Sequence, residues 1–314
     1  MEKRPFIIDC DTGTDDAIAI LAALYSPEVE VKAITSVNGN ICERYVCRNN
    51  RNLTALLGKN VPVARGAVRP LLSGFVNEGH LDDTHGPTGF GTVQLPEAEQ
   101  VFDPRVASEL IYETAVEERG ALELLVIGPM TNIALALVQH GDLAGLIRHI
   151  WFMGGAAVGG NVTPTAEFNI WADPEAAKIV IGSGIPMTMV GLDVTTKAIM
   201  TREDADALRA CGTPAGQVAA DLLAYMFTRN HSGGEDALMH DALAFAAAVC
   251  PDCLTCRDYF VDVETHGQCA YGHTFVDQRG RSGKPANVSV ALEVDVSMFR
   301  KWLVDTICRS AGEK

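Results

Sequence analysis

Asp9, Asp11, Asp15 and Asp16 fall within eight residues near the start of the chain, with Gly13 between them. Carboxylates this close repel one another. In a partly buried setting that repulsion is worth several kcal/mol at an effective dielectric of ~20. The N–H groups of a helix N-terminus offset one or two such charges, not four. A hard divalent cation such as calcium or magnesium takes oxygen ligands and would relieve them together. A phosphate at a strand-to-helix turn is the other chemistry that this placement suits. The plainer alternative is that Thr14 or Asp15 caps a helix and the other aspartates are solvated.

The elements on either side decide where this cluster sits. Residues 6–8 are an apolar run that reads as a buried strand. Ala17, Ile18, Ile20, Leu21 and Leu24 recur at helical spacing. A strand, a tight turn and a helix make a first βα unit, and parallel sheets bind ligands at the carboxyl ends of their strands. Residues 29–35 predict a second strand ending in the turn Ser36-Val37-Asn38-Gly39-Asn40, whose asparagines serve the turn or a ligand equally well. A helix over 42–58, stopped by Gly58, and a short strand at 61–63 follow.

Residues 67–104 lack periodicity and include His80, Asp82, Asp83, His85 and Phe90, which suits a functional loop or an inert excursion. A helix over 104–119 with Pro104 at its start precedes a buried strand over 122–127, a helix over 133–139 and a strand over 149–153. Asp173-Pro174 reads as a helix start with Asp173 as its cap, which leaves Glu167 and Asn169 unexplained. A strand over 186–192 and helices over 202–209 and 216–227 come next. Residues 228–239, with His231-Ser232-Gly233-Gly234, read as a second mobile loop. Asp241 reads as the cap of a helix over 242–249. Strands over 259–263 and 288–294 and a helix over 298–308 close the chain. No repeat or linker divides it, so residues 1–314 are expected to form one domain on one large, mostly parallel α/β sheet.

Composition narrows the partners. The 314 residues are 47% hydrophobic, enough for a sizeable core. A net charge of −15 argues against nucleic acid or an anionic membrane surface as partner. The start of the chain shows no cleavable apolar region, so a cytoplasmic location is expected. No apolar run is long enough to span a bilayer. Nine scattered cysteines then predict reduced thiols. Cys250, Cys253 and Cys256 match part of an iron–sulfur pattern, without its fourth cysteine.

Together the motifs resemble the nucleoside hydrolase family, which includes inosine–uridine and pyrimidine-preferring ribonucleoside hydrolases. The residues that carry the resemblance span nearly the whole chain. They are Asp9 to Ala17, Ser36 to Asn40, Gly128-Pro129-Met130-Thr131-Asn132, Met153-Gly154-Gly155, Ala166-Glu167-Phe168-Asn169, Ala172 to Ala176, and His240-Asp241. Thr12 stands where many members have proline.

The resemblance implies a calcium site formed by Asp11, Asp16, Asp241 and the backbone carbonyl of Ile127, completed by a water and the ribose hydroxyls. It assigns ribose recognition to Asp15, Asn40, Asn161, Glu167 and Asn169, with Met153 lining the site. It implies hydrolysis of an N-glycosidic bond, with Asp11 as general base toward a metal-bound water. His240 is the first candidate acid for the leaving base and His85 the second. The partner would be a small ribonucleoside, and the protein a homodimer or homotetramer. Residues 267–272 and 283–287 look closest to the pyrimidine-preferring branch, with Phe90 and Phe227 as possible stacking residues. Two rival readings are an aspartate-nucleophile phosphatase, suggested by Asp9-x-Asp11, and a nucleoside-binding protein without catalysis.

Overall fold

The computed structural model describes residues 3–78, 84–229 and 237–312. Strand β1 (Arg4–Cys10) is buried from Pro5 onward. Alternate side chains of a strand point to opposite faces. Phe6, Ile8 and Cys10 therefore enter one apolar core and Ile7 the other.

The chain continues as α1 (Thr14–Tyr25), β2 (Val29–Ser36), α2 (Glu43–Leu56), β3 (Val63–Ala64), α3 (Ala107–Glu118) and β4 (Leu122–Val126). Then come α4 (Thr131–Gln139), β5 (Ile147–Met153), α5 (Phe168–Ala172), α6 (Pro174–Ile181), β6 (Met187–Val190) and α7 (Leu192–Thr195). β7 (Ile199–Met200), α8 (Arg202–Ala210), α9 (Pro214–Arg229), β8 (Ala237–Leu238) and α10 (His240–Val249) follow. The last elements are β9 (Leu254–Tyr259), β10 (Val261–Val263), β11 (Thr274–Val276), β12 (Val288–Val294) and α11 (Val296–Cys308).

Eight strands form the main sheet in the order β3-β2-β1-β4-β5-β6-β12-β9. All its pairings are parallel except β12 with β9. The expected large, mostly parallel α/β sheet is thus present. One core packs α1, α9, α10 and α11 on a face of the sheet, and the other packs α3, α4 and α6 on the opposite face. The strand order reverses between β1 and β4, where a crevice opens beyond the strands' carboxyl ends. Among the described residues, no helix is long and apolar enough to cross a membrane.

Buried Glu123 ties the far end of the sheet together. It takes Arg4 Nη1 at 3.0 Å and Trp151 Nε1 at 2.7 Å, and Arg4 Nη2 donates to the Ala248 carbonyl at 2.7 Å. Arg4 thereby joins the start of β1 to the last turn of α10, whose opposite end carries His240 and Asp241.

Several local expectations need correction. Gly13, not Thr14 or Asp15, is the cap residue of α1, and its N–H donates to Asp16 Oδ2 at 2.9 Å. Pro104 does not open α3, because Asp103 binds the backbone N–H and side chain of Arg105 and holds this stretch outside the helix. Met239 precedes α10, so Asp241 lies in the first turn rather than at the cap. The strand expected over 259–263 is divided: β9 ends at Tyr259 and pairs in the main sheet, while β10 pairs with β11. Cys211 and Cys308 form a disulfide, against the expectation of reduced thiols throughout.

Gly58 does end α2 in a left-handed conformation, at φ +64°. Asp173 does cap α6, accepting from Ala176 N at 3.2 Å, and it also takes Thr131 Oγ1 at 2.6 Å and Leu71 N at 2.9 Å. His80, Asp82 and Asp83 in the first loop, and His231-Ser232-Gly233-Gly234 in the second, lie outside the described residues.

Candidate active site

The turn after β1 places its carboxylates by backbone contacts. Asp9 points away from the crevice, where its Oδ1 accepts from Thr35 Oγ1 at 2.5 Å and Asn132 Nδ2 at 2.8 Å. Burial pushes its pKa up to about 7. Asp11 Oδ2 accepts the Asn40 N–H at 2.7 Å. Asp16 Oδ2 takes Gly13 N and, at 3.2 Å, Asn40 Nδ2. A Cβ on Gly39 would lie 2.1 Å from Asp11 Oδ2, so only glycine lets the turn after β2 close on this carboxylate.

Asp9 Oδ2 is buried without a partner, on the side away from the cavity lining. Asp11 Oδ1 and Asp16 Oδ1 are buried without a hydrogen-bond partner. Asp241 arrives from α10, and carboxylate oxygens of Asp15, Asp16 and Asp241 lie within 4.8 Å of one another. Burial, then Asp16, holds the Asp11 carboxyl well above the usual range; burial, then the neighbouring aspartates, does the same to Asp241. Burial and Asp15 raise Asp16 to about 6. Like charges at ~4 Å cost about 4 kcal/mol per pair at an effective dielectric of 20. Unpartnered buried oxygens and an all-oxygen donor set fit a hard divalent cation. The same set gives a phosphate nothing to bind, because like charges would meet.

A cavity of about 620 Å³ lies above this cluster. Asp15, Asn40, Ile127, Met153, Asn161, Glu167, Asn169, His85, His240 and Asp241 all line it. Ten of the twelve expected site residues thus come together from six loops. Asp11 and Asp16 are fully buried behind them. Of the asparagines after β2, Asn40 faces the cavity and Asn38 serves the turn, pairing with the backbone of Asn77 at 2.8 and 3.1 Å.

Glu167 has a structural task that the sequence did not reveal. It caps the short helix α5, its oxygens accepting from Asn169 N at 2.9 Å, Ile170 N at 3.2 Å and Gly155 N at 2.8 Å. Those three donors favour the anion, yet burial prevails and raises the carboxyl to about 7. Asn169 Nδ2 donates to the Ile127 carbonyl at 3.0 Å and to the Met153 carbonyl at 3.2 Å. The amide thereby ties the ends of β4 and β5 to α5. Asn161 Oδ1 accepts from Phe168 N at 2.9 Å.

The two histidines are held by different elements. His85 Nδ1 accepts the Thr14 N–H at 3.1 Å, with Thr14 Oγ1 at 3.0 Å. His240 Nδ1 lies 2.8 Å from Thr195 Oγ1. Burial lowers the His240 pKa, and nearby Asp15 opposes that shift.

Some lining residues were not anticipated. Phe75 and Phe168 meet edge to face at 5.6 Å, and Phe75 also packs on Trp171 at 5.2 Å. Phe75 and Asn77 sit in the unpatterned stretch after residue 67, where no periodicity marks which side chains turn inward. Phe90 and Phe227 are corrected: both are buried in the core on the α1 and α9 side, and neither lines the cavity. Cys250, Cys253 and Cys256 do not form a metal-holding group among the described residues.

A crevice at a topological switch point, floored by orphaned carboxylates and walled by amides and imidazoles, has the make-up of an enzyme active site. The chain belongs to the inosine-uridine preferring nucleoside hydrolase family, whose pattern matches residues 6–301, and it is an enzyme of that class. It is 41% identical over 310 residues to the pyrimidine-specific ribonucleoside hydrolase RihA of Escherichia coli O81 (strain ED1a), covering 96% of this chain and 98% of that one. Among solved structures, it is similar to the purine-preferring ribonucleoside hydrolase from Gardnerella vaginalis. That match has a TM-score of 0.92 and 32% identity, covering 99% of this chain and 100% of the other. The plant nucleoside hydrolase PpNRh1 matches with a TM-score of 0.91 and 30% identity, over 98% and 99% of the two chains. Membership of this family sets aside the aspartate-nucleophile phosphatase reading.

Proposed function

We propose that this enzyme hydrolyses the N-glycosidic bond of ribonucleosides, with a preference for pyrimidine bases, and that it holds one calcium ion. The observation that carries the reading is the pair of orphaned oxygens, Asp11 Oδ1 and Asp16 Oδ1, beneath a cavity lined by amides. Asp11, Asp16, Asp241 and the Ile127 carbonyl would hold the ion. Bound there, calcium would acidify a water and orient the vicinal hydroxyls of ribose.

The chain's own groups do the rest. Asp15, Asn40, Asn161, Glu167 and Asn169 offer donors and acceptors to the ribose hydroxyls. Asp11 takes the proton of the attacking water as the C1′–N bond lengthens. Positive character grows on the ribosyl ring, as in glycoside cleavage, and the acidic floor favours it. His240 delivers a proton to the departing base, and His85 closes the cavity beside it. Phe75 and Phe168 offer an apolar edge to the base.

The pyrimidine preference draws on the name of the 41% identical relative and on residues 267–272 and 283–287. A purine-preferring relative shares the fold, so base preference is the first property to measure. A homodimer or homotetramer is proposed from the family resemblance, and sedimentation would test it. The functional test is free-base release from uridine, cytidine, inosine and adenosine, before and after chelation. Release from uridine that chelation stops and added calcium restores is expected. Binding without release, or release from purines alone, counts against the reading.

A further inference from the structure

The two histidines differ in what their Nδ1 atoms face. His85 Nδ1 faces two groups of Thr14, the backbone N–H at 3.1 Å, which can only donate, and the hydroxyl at 3.0 Å. A proton on His85 Nδ1 would break the bond from the backbone N–H, a cost that His240 Nδ1 does not meet. His240 Nδ1 faces the Thr195 hydroxyl, which both donates and accepts. This hydroxyl can donate to a bare Nδ1 and, by rotating, accept from a protonated one. The contact therefore holds the ring without dictating which nitrogen carries the proton.

Thr195 is the last residue of α7 and has no solvent exposure. Among the described residues, His240 is the only side chain that its hydroxyl engages. A buried hydroxyl without a partner is costly, so this bond fixes both groups. His240 lines the cavity, and Nε2 is the ring nitrogen that this bond leaves available there.

We propose that Thr195 is the positioning residue for the acid step: it holds the His240 ring with Nε2 at the leaving base and keeps it there as the proton moves. The inference rests on the hydrolase reading above. In that step the C1′–N bond breaks and its electron pair goes to the base nitrogen. That nitrogen takes the Nε2 proton of the His240 imidazolium, which becomes a neutral ring with its remaining proton on Nδ1, donated to Thr195 Oγ1. The oxygen of water bonds to C1′, and its proton goes to Asp11. Nucleoside and water become ribose and free base, and solvent exchange restores both side chains. Among the described residues, Thr195 does not line the cavity and its hydroxyl engages none of the proposed metal ligands, so its effect must pass through His240.

The test compares leaving groups. Uridine needs a proton on its departing base, whereas p-nitrophenyl β-ribofuranoside releases a phenolate that is stable without one. Thr195→Val keeps the shape and removes the hydroxyl. It is expected to lower kcat on uridine by roughly 10- to 100-fold, with KM little changed, which is less than the ~10²–10⁴-fold that a general acid contributes. Turnover of the p-nitrophenyl riboside should change by less than about threefold, and Thr195→Ser should restore uridine turnover. Equal losses on both substrates, or no loss on uridine, would overturn the proposal.

Nitrogen-15 NMR of the wild-type imidazole supplies a readout independent of turnover and of whether the valine variant folds. A hydrogen-bonded Nδ1 on His240 is expected, and a shift typical of an unbonded nitrogen would overturn the positioning role. Failure of the wild type to cleave either riboside would instead defeat the hydrolase reading, with the NMR result still deciding the Thr195 contact.

Discussion

The Thr14 N–H donates to His85 Nδ1 at 3.1 Å, with Thr14 Oγ1 at 3.0 Å, so the first turn of α1 meets the long connection between β3 and α3 at the edge of the cavity. Gly13 makes this approach possible, because a Cβ there would lie 2.4 Å from His85 Nδ1. Gly13→Ala should therefore expel the imidazole and behave like His85→Ala, lowering kcat and raising KM together. The double variant should lose no more than either single one, since both break the same contact. Steady-state kinetics on uridine would check this. Full additivity of the two losses would separate the residues.

The metal reading has a direct assay. Asp11→Ala and Asp241→Ala should each weaken calcium binding by a large factor and reduce kcat by at least ~10³-fold, because each removes an oxygen donor from the same ion. Titration calorimetry and metal analysis measure the binding. Wild-type protein that stays fully active with no divalent ion after chelation would refute this.

Ribose recognition predicts discrimination against deoxynucleosides. The groups built to meet a 2′-hydroxyl would be left unpaired by 2′-deoxyuridine, and sites of that kind reject the analogue by as much as ~10⁴-fold. Comparable kcat/KM for uridine and deoxyuridine would show that the 2′-hydroxyl is not held.

Glu167 predicts a pH dependence of stability. Burial raises its folded pKa to about 7, above the ordinary value. Between those two values the folded state binds more protons than the unfolded one, so stability falls as pH rises through the window. The loss is complete above about pH 7 and amounts to roughly 3 kcal/mol at most, at ~1.4 kcal/mol per pKa unit. Glu167→Gln keeps an acceptor for the α5 cap and removes the titration. Urea unfolding of the substrate-free protein at pH 5 and pH 8 should show a larger drop for wild type than for the variant. Parallel drops would place the pH dependence elsewhere.

Much of this site was legible in the sequence, because much of it is local. The Asp9 to Asp16 cluster sits in a turn between a strand and a helix whose periodicities are plain, and such a turn has one place to go in a parallel sheet. Asp173 before Pro174 announced a cap, and the structure has one. The resemblance to nucleoside hydrolases rested on such local turns, and their order along the chain made it specific.

Other features are decided only by contact between distant segments. Sequence periodicity does not bring Asp241 beside Asp15 and Asp16; the packing of α10 against α1 does. Phe90 and Phe227 look like free aromatics, but the cores claim them, while Phe75 in an unpatterned stretch reaches the cavity. Glu167 reads as a polar loop residue until α5 forms behind it. Thr195 carries no signal at all, since its meaning is one hydrogen bond to a residue 45 positions away. Local spacing sets which residues share a turn or a helix face. Which turns meet is set by the burial of apolar faces on the two sides of the sheet, a property of the whole chain.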